Sequence, residues 1–99
     1  MATLVRIAPN TAQWPNFTEV QATKLLSALQ NEASIVNKHL GMSVGSFSDQ
    51  GVDFTYTYSA PMQILEVTIA AVHSIKAKIA GHDAIFGALD DAITKYLAS

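Results

Sequence analysis

The sequence predicts an α+β domain of two layers. The expected order is β-α-β-β-β-α, with an antiparallel meander sheet and two helices packed on one face. Three observations predict it. Over 52–58, Val52, Phe54, Tyr56 and Tyr58 alternate with Asp53, Thr55 and Thr57, the period of a half-buried strand. Over 62–80 a second alternating run puts Leu65, Val67, Ile69, Ala71, Ile75, Ala77 and Ile79 on one side. Two further segments, 18–40 and 84–97, repeat apolar residues at three- and four-residue steps, as amphipathic helices do.

The elements follow in order. Residues 3–8 are β-prone, and Pro9 ends them, so they suit a sheet edge. Residues 9–16 have no period and read as a loop. In it Trp14 precedes Pro15, which keeps its backbone out of the helical region. Its large ring is either a lid on the core or an anchor for a partner. A helix then begins with capping-box spacing, Asn16 with Glu19 or Thr18 with Gln21. Ala22, Leu25, Leu26, Leu29, Ala33, Val36 and Leu40 carry its apolar face. Gly41 stands where a left-handed residue ends a helix. Ile35 falls off that face beside Ala28 and His39, as a stray surface residue or a second contact surface.

Residues 42–49 form a weak strand loosened by Gly45, and 48–51 supply hairpin turn chemistry. Residues 59–61 break the aromatic strand. The run 62–80 is longer than an ordinary strand, so a bulge or bend is expected near 70–74. Leu65, Ile69, Val72 and Ile79 also fit a helix. The strand reading is preferred because Val, Thr and Ile dominate the first half and because a helix would point Lys76 and Lys78 to nearly opposite sides. Gly81 breaks the run, and Asp83 suits the N-cap of a last helix, 84–97. Its stripe of Ile85, Leu89, Ala92 and Tyr96 is widened by Phe86, Ile93 and Leu97, leaving Asp90, Asp91, Thr94 and Lys95 for solvent.

Composition bounds the function. At 99 residues the chain is expected to be one domain, 1–99, burying roughly two-thirds of its unfolded surface. Only 14% of residues are charged, against about 25% in ordinary domains. Few charges on a small domain point to surface buried against copies of itself or a protein partner. The net charge of −2 is scattered, which argues against the basic patch that nucleic acid requires. No apolar run reaches the ~18 residues of a membrane span, and residues 1–9 do not read as a signal peptide. The chain has no cysteine, which suits the cytoplasm.

No motif carries chemistry at a diagnostic spacing. His39, His73 and His82 lack metal-ligand spacing, so neither metal nor other cofactor is expected. His39 is expected at the end of the first helix. His73 falls on the apolar side of its run, as a core residue or in a small pocket. Glu66 stands among apolar neighbours, either as an outward strand residue or, if buried, as an acid–base group. The stripe of Phe54, Tyr56 and Tyr58 lacks the basic neighbours of a base-stacking platform and reads as the floor under the helices.

Two functions follow as expectations. The first is a non-enzymatic, self-associating adaptor, inhibitor or structural subunit of a larger assembly, with viral assemblies among the settings that suit it. Its partner surface would use Trp14, Ile35, Ile64, Val72 and Phe86, on the second sheet face and the flank of the last helix. The second is a small-molecule binding domain, its pocket between sheet and helices containing Tyr56, Glu66 and His73.

Overall fold

The computed structural model describes residues 4–98. Thr3, the expected start of the first strand, lies outside them. The elements are β1 (Val5–Ala8), β2 (Thr11–Trp14), α1 (Glu19–Asn31), β3 (Ile35–Leu40), β4 (Val44–Asp49), β5 (Val52–Ser59), β6 (Ile64–Val72) and α2 (Ile75–Ala98). The strands form one sheet in the order β1-β2-β6-β5-β4-β3. Every neighbouring pair is antiparallel. The expected α+β class, meander and helical layer are therefore present. β3 to β6 form the meander, and the β1–β2 hairpin extends it beyond β6.

Two strands were not foreseen. β2 lies within the expected loop. Pro9 and Pro15 hid a four-residue alternation in which Ala12 and Trp14 are buried while Thr11 and Gln13 face the other way. β3 replaces the last third of the expected first helix. The helix begins as read: Thr18 and Gln21 form both halves of a capping box. It stops at Asn31, not at Gly41. Glu32 Oε1 there accepts from the amide and hydroxyl of Ser34, a local bond that competes with the helical ladder. The β-branched pair Ile35-Val36 then enters a strand. The steps to Ala33, Val36 and Leu40 matched a helix by coincidence. His39 consequently sits on β3 opposite Ser46 and caps no helix.

The run 62–80 divides between its two readings. It is strand through Val72 and helix from Ile75. The expected bulge is present: Phe54 pairs with Ile69 but Asp53 with Ala71, which leaves Ala70 unmatched. Ser74 starts the helix, its hydroxyl accepting from the Ala77 amide at 3.2 Å. α2 is kinked at Gly81, whose φ of 86° and ψ of 170° are non-helical. Asp83 accepts the Arg6 guanidinium from β1. The same guanidinium lies 4.9 Å above the Phe86 ring.

The sheet has two unlike faces. On the covered face, Ala12, Trp14, Leu65, Val67, Ile69, Tyr58, Tyr56, Phe54, Val52 and Phe47 meet Leu25 and Leu29 of α1 and Ile85, Phe86 and Ile93 of α2. Trp14 is fully buried, and its indole donates to Asp90 Oδ1 at 2.8 Å. Asp90 therefore serves the core, not the solvated flank where it was expected. The other face has no helix on it. One row across it runs His39, Ser46, Thr55, Thr68, Thr11. The next runs Val44, Thr57, Glu66, Gln13, Val5. Hydroxyls suit a water-facing antiparallel sheet.

Candidate functional site: a cleft between the last helix and the central hairpin

The β4–β5 turn begins the site. Gln50 and Gly51 both have positive φ, 50° and 79°, the geometry of a tight two-residue hairpin turn. Gly51 also packs against Ser74: a Cβ at position 51 would lie 2.9 Å from that of Ser74. The Gly51 carbonyl accepts the His73 amide at 2.7 Å. The start of α2 is thereby tied to the hairpin tip.

From that tie α2 runs over the sheet with Ala77, Ala80, Ala84, Ala88 and Ala92 at steps of three and four. Methyl groups cannot fill the helix–sheet gap. The result is a cleft of about 340 Å³, at the lower end of the range of small-molecule sites. Val52 and Phe54 of β5 form one wall, and Ile85 and Leu89 continue the helical wall. Ala80, Ala84 and Ala88 are exposed, so the cleft opens to solvent.

The cleft contains one acid, Asp49. It ends β4 opposite Val52, a buried residue of the covered face, so the pleat turns this carboxylate inward. Its Oδ1 is shut off from solvent and receives no hydrogen bond among the described residues. Burial raises the Asp49 pKa above 3.8, and the neighbouring Glu32 carboxylate raises it further. Tyr96 of α2 lies in the field of both acids, and burial, then Glu32 and Asp49, raise its pKa above 10.0. Lys76 lines the cleft but is exposed, and neither ion pair found among the described residues involves Asp49.

The residues expected to share a pocket do not meet. Tyr56 faces the core, donating from its hydroxyl to the Gly41 carbonyl at 2.6 Å. Burial raises its pKa, which keeps it a donor. Glu66 lies on the uncovered face, accepting from Gln13 Nε2 at 2.9 Å. Tyr56 and Glu66 pair with Val67 and Thr57, adjacent positions of opposite pleat. His73 is exposed at the joint between β6 and α2, with Nε2 2.9 Å from Asp53 Oδ2.

Asp53 belongs to a polar chain of its own. Ser48 donates to its Oδ1 at 2.6 Å, and Asn37 donates to Ser48 at 3.3 Å. The Ser48 and His73 hydrogen bonds lower the Asp53 pKa. Serine, histidine and aspartate meet here in the wrong order for nucleophilic catalysis. The hydroxyl gives its hydrogen bond to the carboxylate, not to the imidazole that would activate it. The chain joins β3, β4 and β5 to the start of α2.

The residues expected at a partner surface are largely inside. Trp14, Ile35 and Phe86 are buried core residues, so none is available to a partner. Ile64 and Val72 are half-buried. Val72 pairs with Val52 and packs against the core, while Ile64 pairs with Ser59. Asp49 was missed because a lone aspartate before Gln50-Gly51 reads as turn chemistry. Counting inward from Phe54 through Val52 and across the two-residue turn would have placed it on the buried face.

Among the described residues no three His, Asp or Glu gather as a metal site, and no helix is long and apolar enough to cross a membrane. Comparison with protein-family models, with curated proteins and with solved structures finds no match to this chain.

Proposed function

We propose that this chain is a non-enzymatic small-molecule-binding module whose site is the cleft between α2 and the β4–β5 hairpin. One observation carries the reading: a concave, alanine-walled space of about 340 Å³ opens beside an otherwise filled core. The walls are apolar and Asp49 is the acid among them, which is how binding sites combine burial with orientation. The cysteine-free composition suits the cytoplasm, where we place this activity.

The test is to fill the space. Ala84→Leu replaces a methyl with an isobutyl group at an exposed helical position. Binding of a small aromatic probe such as 2-phenylethanol should shift amide resonances along 49–54 and 77–92, and Ala84→Leu should abolish those shifts. A probe that binds the variant as well as the native chain contradicts the proposal.

A second reading, a self-associating subunit, has its own support. The uncovered face carries apolar rims at both edges: Val5 and Ile7 on β1, Val36 and Val44 on β3 and β4, all exposed. Between them the acids Glu66 and Asp53 already hold same-face partners. Two copies can therefore meet without unpaired like charges. Sedimentation should then show a dimer that Val44→Lys converts to monomer. A native monomer at high concentration contradicts this reading.

A further inference from the structure

We infer that the occupant of the cleft is a small organic cation, an amine on an apolar body, with the Asp49 carboxylate as its counter-charge. The inference rests on the cleft being a binding site and adds what that site selects.

The argument starts from what the cleft lacks. Carboxylates removed from water ordinarily receive hydrogen bonds or a positive partner, because an unpaired buried charge is costly. Asp49 Oδ1 is buried and receives neither among the described residues. The charge acting on Asp49 is another carboxylate, Glu32, which adds to the cost. An ammonium brought in by a ligand would pair with the half-buried Asp49 carboxylate where it lines the cleft, and would offset the repulsion from Glu32. Burial first, and then the Glu32 charge, raises the Asp49 pKa, the direction taken by an acid with no cationic partner.

The walls specify the rest of the molecule. Phe54, Val52, Ile85 and Leu89 offer apolar surface, and the alanines of α2 leave room for a body as flat as one aromatic ring. Ser74 and Gln50 also line the cleft and supply neutral hydrogen-bonding groups. An anionic ligand would face Asp49, whose repulsion the nearby Glu32 charge reinforces, with the exposed Lys76 as the cleft's cation. The chemistry thus favours an arylalkyl or branched alkyl monoamine over its alcohol or acid counterpart.

Three probes of one shape test it: phenethylamine, 2-phenylethanol and 3-phenylpropionate, titrated into the intact isotope-labelled chain near neutral pH at constant ionic strength. Phenethylamine should bind about tenfold or more tighter than 2-phenylethanol, the increment of one charge-assisted hydrogen bond. In Asp49→Asn the two should bind within about twofold of each other, with the alcohol's affinity little changed. Glu32→Gln, which leaves Asp49 in place, should reduce the amine's advantage about threefold and serves if Asp49→Asn does not fold. Equal native affinities for amine and alcohol, or a preference for the acid, overturn the cation inference while leaving the cleft a binding site. Failure of all three probes to bind overturns the binding-site reading itself, and the inference with it.

Discussion

Two seams run between the same sheet and the same helical layer, and they differ in side-chain size. In the first, Leu25, Leu26 and Leu29 of α1 and Ile93 and Tyr96 of α2 press onto Tyr56, Tyr58, Leu65 and Val67, with Phe17 closing one end. About 30 Å³ of free space remains there, roughly one water's share of liquid volume. In the second, α2 faces Val52 and Phe54 with five alanines, and the free space is about 340 Å³. The helix–sheet spacing is set by the large residues of the first seam. The small residues of the second cannot follow it down. A helix that is large on one flank and small on the other makes a core and a cleft at once.

The predictions test that contrast, beginning with the filled seam. Ile93 is almost wholly buried, so Ile93→Ala should cost about 2–5 kcal/mol in urea unfolding, the ordinary range for a large-to-alanine core change. A loss under about 1 kcal/mol would mean that this seam is looser than its packing implies. Next is Gly45, where a Cβ would collide with the Tyr56 ring and the His39 carbonyl. Gly45→Val should destabilise by about 1–3 kcal/mol through overpacking, measured by the same unfolding curve. A neutral result would show that Tyr56 is free to swing away from its bond to Gly41.

Smaller effects are expected in the hollow seam. The folded Asp49 pKa is raised, so its ionisation opposes folding. That penalty is full above the folded pKa, shrinks as pH falls through it, and is gone below 3.8. Asp49→Asn should therefore stabilise the chain near neutrality, by less than about 1 kcal/mol given its partial exposure. The gap from the native protein should close on acidification. Asp53 behaves oppositely. Its folded pKa is lowered, so its contribution is present above 3.8 and lost as pH falls through the lower folded value. Equilibrium unfolding across acidic pH separates the two: the Asp49→Asn gap closes as pH falls towards 3.8, and the Asp53 contribution is lost only below it. Smallest of all is Ala84→Leu, within about 0.5 kcal/mol of the native chain, since an exposed helical site tolerates leucine. A large loss would mean that the cleft closes in solution and the added side chain has nowhere to go.

Much of this fold was legible in the sequence. Strict alternation gave β5 and most of β6, turn chemistry gave the Gln50-Gly51 hairpin, and Thr18 with Gln21 gave the start of α1. These signals are local, and local physics decided the outcome. Prolines masked β2, whose partner β6 lies over fifty residues away, as the Thr11–Thr68 pairing shows. Apolar spacing beyond Asn31 imitated a helix, and only the hydrogen bonds that Ser34 donates to the Glu32 carboxylate and a partner strand, β4, made 35–40 extended. The site was less legible still. Tyr56, Glu66 and His73 each attracted attention by residue type, but a pocket depends on which faces meet. Tyr56 and Glu66 look out from opposite sides of the sheet. Asp49 is distinguished only by what fails to reach it, and a missing donor leaves no mark in a sequence. The alanines of α2 were visible throughout. They read as helix formers, whereas in the fold their size leaves the gap.

The central claim is that the alanine-walled seam is a site and the leucine-filled seam is not. Amide chemical-shift mapping of the labelled native chain with phenethylamine tests it most directly. The account predicts shifts clustered on 49–54 and 77–92, absent in Ala84→Leu, with the resonances of Leu25 and Leu29 unmoved. Shifts centred on α1 or on the uncovered sheet face, or persisting in Ala84→Leu, would contradict it.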